Sequence, residues 1–191
     1  GIKQGDHVGI LLPSGIDFVE TLFAVSMVGG VSVLMNARYR SPEIAYVVEN
    51  ADLVAVVTNS EADDFVDFTT RLAEAFPEIA ECKDPMALQV SQAPLLRRLV
   101  LNGGKQAPGF IDQQAFDAAA QGVDESLVHD ARLSVRLRDT CMILYTSGTT
   151  GRPKGALITN KMLFWNSINT GLRLNLTQNE VILTFAPFFH T

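Results

Sequence analysis

Short apolar runs recur along this sequence, and between them lie stretches with helical spacing. The runs Val8-Gly-Ile-Leu-Leu, Val31 to Met35, Leu53 to Val57 and Cys141-Met-Ile-Leu-Tyr are nearly continuous in hydrophobic residues. A strand that is apolar on both faces is covered on both faces, and that is the condition of a parallel sheet with helices above and below. The helical stretches fit. After Pro13-Ser14-Gly15, Asp17 is expected to cap a helix carrying Phe18, Leu22, Val25 and Val28, which Gly29-Gly30 then stops. Ser41-Pro42-Glu43 opens a second helix, with Ser41 as cap, Pro42 in the first turn, and Ile44, Val47 and Val48 as its buried face. A third is expected from Phe65 to Phe76, ended by Pro77. The fold class expected is therefore α/β, a mostly parallel sheet with flanking helices.

Residues 78–112 are less regular and carry Pro85, Pro94, Gly103, Gly104 and Pro108, with Leu99-Val-Leu as a further strand. Phe110 to Gln121 reads as a short helix and Gly122 to Arg138 as a polar connection. After the Cys141–Tyr145 strand come a Gly/Thr-rich loop and the strand Ala156-Leu-Ile. A helix capped at Thr159-Asn160 then runs to about Leu174, and Val181 to Ala186 reads as a last strand.

Composition narrows the class. The chain has 191 residues, 47% hydrophobic and 19% charged, which suits a packed domain and excludes disorder. Its longest apolar stretch, Phe23 to Met35, is interrupted by Ser26, Gly29, Gly30 and Ser32 and is too short to span a bilayer. Net charge is -6, with the positive residues biased to the second half. That bias suits an anionic ligand but is far from the basic stripe of a nucleic-acid binder. Two cysteines, Cys82 and Cys141, and the lack of a leader pattern in the opening residues set the expectation of a reducing, cytoplasmic setting. Neither terminal stretch resembles a polar linker, so the chain is expected to be a segment of a longer protein.

The chemistry concentrates in Tyr145-Thr-Ser-Gly-Thr-Thr-Gly-Arg-Pro-Lys-Gly155. Thr146, Ser147, Thr149 and Thr150 supply hydroxyl donors. Gly148, Gly151 and Gly155 leave backbone N–H groups uncovered, and Lys154 adds a mobile positive charge. Such a set holds phosphate, and a loop following a parallel strand lies where α/β sheets bind their ligands. It is not the P-loop of nucleoside triphosphatases: the fifth residue after Gly148 is Pro153, and Lys154 is followed by Gly155 rather than Ser or Thr.

Position for position this string resembles the signature loop of the adenylate-forming (AMP-binding) enzymes, which include acyl-CoA synthetases, luciferases and peptide-synthetase adenylation domains. Gly5-Asp6, Leu12-Pro13, Phe18-Val19 and Gly29-Gly30 through Asn36 and Tyr39 are similar to that family's opening βαβ segment, and Pro187-Phe-Phe-His190 to its Pro-hydrophobic-aromatic-His motif. The resemblance implies that residues 1–191 are part of the large N-terminal AMP-binding domain, with the rest of that domain and the small C-terminal domain outside it. This segment by itself is then expected to be inactive.

The implied activity is that of an acid–CoA ligase. ATP activates a carboxylic acid, fatty or otherwise hydrophobic, to acyl-AMP with release of pyrophosphate, and coenzyme A then takes the acyl group. An aryl-acid ligase, an amino-acid adenylation domain and a non-catalytic nucleotide-binding homologue are the alternatives. The resemblance assigns Thr146, Ser147, Gly148, Thr149, Thr150, Gly151 and Lys154 to the β- and γ-phosphates of ATP, Thr146 also to Mg²⁺, and His190 to the acyl pocket. His7 and His129 are expected in solvent, Met162, Phe164 and Trp165 in the core, and Cys141 as an inert buried thiol. No His/Cys cluster has zinc-ligand spacing.

Overall fold

The computed structural model describes residues 1–60, 66–146 and 152–190. In chain order these form β1 (His7–Leu11), α1 (Ile16–Met27), β2 (Val31–Leu34), α2 (Ser41–Asn50), β3 (Leu53–Thr58), α3 (Phe68–Ala75), α4 (Glu78–Glu81), a short 3₁₀ turn (Pro85–Ala87) and β4 (Arg98–Leu101). There follow α5 (Gln113–Ala120), α6 (Glu125–Ser134), β5 (Thr140–Thr146), β6 (Lys154–Thr159) and α7 (Asn160–Arg173). Among the described residues the six strands form one sheet in the order β4-β3-β1-β2-β5-β6. Every pairing is parallel except that of β5 with β6. The α/β class with a mostly parallel sheet is thus observed.

Alternation along each strand divides the interior into two layers. Leu11, Val31, Val33, Met35, Val56, Leu99 and Ile143 point to the layer that receives Ile44, Val47 and Val48 of α2 and Phe68 and Leu72 of α3. Ile10, Leu12, Leu34 and Met142 point to the other, against Phe18 of α1. Fully burying a side chain of this size contributes about 1.5–3 kcal/mol, so these two layers dominate the stability of the sheet. α1 ends in a Schellman turn: Gly30 N–H donates to Val25 O at 2.9 Å, Gly29 N–H donates to Ser26 O at 3.1 Å, and Gly29 has φ +75°.

The structure corrects several boundaries. Asp17 does not cap α1. Gly15 takes that place without a side-chain bond, and Asp17 lies in the first turn, near the positive end of the helix dipole. Ser41 is the first helical residue of α2 rather than its cap. Its hydroxyl donates to Glu74 Oε2 at 2.6 Å, while the Glu43 carboxylate accepts from Arg40 N–H at 2.8 Å. The third helix begins at Phe68 behind an Asp67 cap that accepts from Thr70 N–H at 2.8 Å; Phe65 lies outside the described residues. Likewise Asp112 caps a helix that starts at Gln113, not Phe110.

Two differences are larger. Residues 122–138 are not simply a polar connection: α6 occupies 125–134, capped by Asp124, and buries none of its residues. Val181 to Ala186 is not a strand; Val181, Leu183 and Phe185 are almost fully exposed. A strand exists only within a ladder, and these residues pair with no other strand among those described.

His7 also departs from expectation. It is half-buried, and its Nδ1 lies 2.6 Å from Ala51 O; since a carbonyl only accepts, Nδ1 carries the proton. His129 is exposed, beside Arg132. Met162, Phe164 and Trp165 are each about half exposed instead of core residues. α7 follows the edge strand β6, and only Leu163 of that helix packs on the inner layer, as part of its rim. Cys141 is buried as expected, and burial pushes its thiol pKa up.

Candidate functional site

β5 leads up to the Gly/Thr-rich stretch at Thr146, and β6 brings the chain back from Lys154. The two strands pair in antiparallel register, Tyr145 opposite Gly155 and Thr146 opposite Lys154. The mouth of this hairpin therefore sets a hydroxyl against a cation at the carboxyl end of the parallel strands, where α/β sheets bind ligands. Thr146 Oγ1 donates to Lys154 O at 3.4 Å, a long bond that spares the hydroxyl's lone pairs. Among the described residues nothing pairs with the Lys154 ammonium. Ser147, Gly148, Thr149, Thr150 and Gly151 lie outside the described residues.

α2 packs against the base of the hairpin. Tyr145 shares the face of Ile143, so its ring turns toward α2, and its hydroxyl donates to Asn50 Oδ1 at 2.7 Å. One turn earlier, Tyr46 Oη donates to Pro153 O at 2.9 Å. The two tyrosine rings meet edge to face, 6.4 Å between centroids, and the Arg152 guanidinium lies 5.3 Å from the Tyr46 ring centroid. Burial first, then the neighbouring Tyr46, Tyr39 and Asp52, push the Tyr145 pKa up to about 12, so the phenol remains a donor across the physiological range.

Gly155 is required by the same contacts: a Cβ there would stand 2.8 Å from Ile143 Cγ2 and 3.4 Å from Tyr145 Cζ. Sequence reasoning missed Tyr46, Asn50 and Arg152. The available signal was the four-residue spacing of Tyr46 and Asn50, which puts them on one side of a helix.

The second candidate region lies beyond β1. Phe188 N–H donates to Ser14 Oγ at 3.0 Å, and the Phe188 ring packs edge to face on Phe18 at 5.8 Å. His190, exposed, closes a turn by donating its N–H to Pro187 O at 3.0 Å. β1 and β5 flank β2, so the strands bearing the two regions lie about 10 Å apart at the same end of the sheet.

The donor set suits a polyphosphate: an ammonium, unpaired among the described residues, and a hydroxyl in one hairpin mouth. For a hard divalent cation Thr146 offers one oxygen, which fits a metal that takes its remaining ligands from phosphate and water. Among the described residues no group of three His, Cys, Asp or Glu could hold a metal ion by itself, and no helix is long and apolar enough to cross a membrane.

Comparison with known proteins identifies the family and the fold. A family model described as AMP-binding enzyme matches residues 1–191. A feruloyl-CoA synthase from an Amycolatopsis species is 30% identical over 190 residues, 100% of this chain and 30% of the synthase. The crystal structure of ATP-bound MatB from Rhodopseudomonas palustris superposes with a TM-score of 0.69 at 25% identity, covering 100% of this chain and 32% of MatB. A long-chain-fatty-acid-CoA ligase, FadD1, from Archaeoglobus fulgidus shares the fold with a TM-score of 0.67 at 24% identity, covering 100% and 32%. The chain thus spans about a third of the length of the curated relatives it matches.

Proposed function

Since the chain belongs to the AMP-binding enzyme family, which matches it from end to end, we propose that it supplies the triphosphate-handling part of an ATP-dependent acid–CoA ligase. A substrate carboxylate oxygen attacks the α-phosphorus of ATP. The bond to the β-phosphate oxygen breaks, and pyrophosphate leaves with the acyl-adenylate formed. The thiolate of coenzyme A then attacks the acyl carbonyl and AMP departs. The observation that carries this reading is the hairpin mouth, where Thr146 and Lys154 stand opposite each other at the carboxyl end of the sheet.

In this role Lys154 and Thr146, with Ser147, Gly148, Thr149, Thr150 and Gly151, hold the β- and γ-phosphates. Their work is to place the leaving group and offset its growing charge, the main demand of phosphoryl-type transfer. Thr146 also offers its hydroxyl to Mg²⁺, which neutralises phosphate charge when bound. His190, on a turn fastened to Ser14 and Phe18, borders the acyl group. The acid is fatty or otherwise hydrophobic, in keeping with the Phe185-Ala-Pro-Phe-Phe run. An aryl acid is the second reading, favoured by the feruloyl-CoA synthase relative.

The test is acid-dependent ATP–pyrophosphate exchange by the full-length protein, with fatty acids of graded length, aryl acids and amino acids, beside Lys154→Ala. Exchange with one acid class is expected. Loss of a charge-assisted contact to phosphate is expected to lower kcat/KM for MgATP about 10- to 100-fold in the variant. No exchange with any acid, despite nucleotide binding, would refute the ligase reading in favour of a non-catalytic homologue.

A further inference from the structure

Hairpin pairing fixes the two ends of the loop between Thr146 and Lys154 relative to each other, but not relative to the rest of the sheet. Among the described residues β6 lies at the edge of the sheet, antiparallel to the other strands, so pairing with β5 alone would leave the hairpin free to tilt as a unit about β5. One turn of α2 prevents this from both sides. On the outgoing limb Asn50 Oδ1 accepts from Tyr145 Oη, and on the returning limb Tyr46 Oη donates to the Pro153 carbonyl. The partners lie 95 and 107 residues apart in sequence, so neither bond is a by-product of local turn geometry.

The same turn sorts the two cations of the returning limb. Arg152 lies against the Tyr46 ring, whereas Lys154, two residues on, keeps an unpaired ammonium among the described residues. Without an aromatic face to receive it, the Arg152 guanidinium would compete with Lys154 for any anion at the mouth.

We infer that Tyr46 and Asn50 are positioning residues for the triphosphate. They act through Tyr145, Arg152 and Pro153 on the placement of Thr146 and Lys154, and do not themselves touch nucleotide. The inference rests on the reading of this hairpin as the ATP site.

Its test compares Tyr46→Phe, which keeps the ring and removes only the hydroxyl, with Asn50→Ala and Tyr46→Ala in the full-length protein. Amide hydrogen exchange of the 145–155 peptide, thermal stability and steady-state pyrophosphate exchange are measured together. Removing one neutral hydrogen bond is expected to raise the KM for MgATP about fivefold, with the KM for the acid unchanged and faster exchange in 145–155. Tyr46→Ala, which also releases Arg152, is expected to exceed Tyr46→Phe.

Equal rises in both Michaelis constants, or a fall in melting temperature with no kinetic change, would assign these residues a purely structural role and overturn the inference. So would wild-type protection of 145–155 in all three variants, even in a protein that exchanges no pyrophosphate. A wild-type protein without exchange counts first against the ligase reading; the 145–155 protection then decides separately whether α2 anchors the hairpin.

Discussion

Replacing Gly155 by alanine puts a methyl group where the β5–β6 hairpin has no room. The added Cβ would stand 2.8 Å from Ile143 Cγ2, well inside contact distance, and 3.4 Å from Tyr145 Cζ, which is tolerable. Ile143 cannot simply turn away: it is β-branched, stiff at χ1 and 5% exposed. Overpacking of this kind costs about 1–3 kcal/mol. Loss of glycine's freedom in the unfolded chain offsets about 0.5–1 kcal/mol, leaving Gly155→Ala destabilising by about 1–2 kcal/mol. Ile143→Ala alone opens a cavity and costs about 2–5 kcal/mol.

In the double variant the alanine at 155 has no Cγ2 to meet and fills part of that cavity. The pair is therefore expected to cost about 1–2 kcal/mol less than the sum of the singles. Local opening free energies from hydrogen exchange of the 140–159 peptide, measured for all four proteins, give the cycle directly. Additivity within about 0.4 kcal/mol, or a Gly155→Ala protein as stable as wild type, would show that the close approach does not constrain the hairpin.

Two further substitutions probe the sheet and the base of the site. Thr58 is fully buried and its hydroxyl donates to Leu11 O at 2.7 Å, so Thr58→Val, matched in shape, is expected to cost about 1–2 kcal/mol, read as a lowered melting temperature. An unchanged melting temperature would refute that bond's contribution. Tyr145 has its pKa raised from 10.0 to about 12, so folding favours its neutral phenol. The associated stability is complete below pH 10 and lost as pH climbs toward about 12. Two units amount to about 2.7 kcal/mol, which solvent screening of this half-exposed group reduces to about 1 kcal/mol. Denaturation of wild type and Tyr145→Phe at pH 9 and pH 11.5 should show the wild type losing that much more; parallel losses would refute it.

The central strands were legible because β1, β2, β3 and β5 are buried on both faces, and their composition says so without any knowledge of partners. The outer elements were not, for two opposite reasons. α6 buries no residue fully, and its apolar side is short, limited to Leu127, Val128 and Ala131 among polar neighbours; a cap at Asp124 and adequate propensity across 125–134 support it. Val181 to Ala186 has the composition of a buried strand, but a strand also needs a neighbouring ladder, which composition does not encode. α7 shows the same asymmetry: Met162, Phe164 and Trp165 look like core residues in a window of sequence, yet α7 lies beside an edge strand, over little of the inner layer.

For the site, the loop itself was legible as chemistry, since hydroxyls, glycines and one lysine crowded into ten residues have few other uses. What holds it was not, because the connection runs through sheet parity. Tyr145 points toward α2 only because it is two residues from Ile143 on β5, and Ile143 faces the α2 layer. Gly155 must be small because, opposite Tyr145 in the antiparallel register, its Cβ would share that face and meet Ile143 Cγ2 at 2.8 Å. Once the sheet order is known, both follow from alternation alone, and so does the pairing of Tyr145 with Asn50 on the helix that covers that face. The described part of the hairpin is therefore set from two places in the sequence: β5 and β6 supply its two limbs, and α2, in the first third of the chain, bonds to both through Tyr46 and Asn50. Substitutions in α2 should accordingly alter nucleotide kinetics while leaving the composition of the loop untouched.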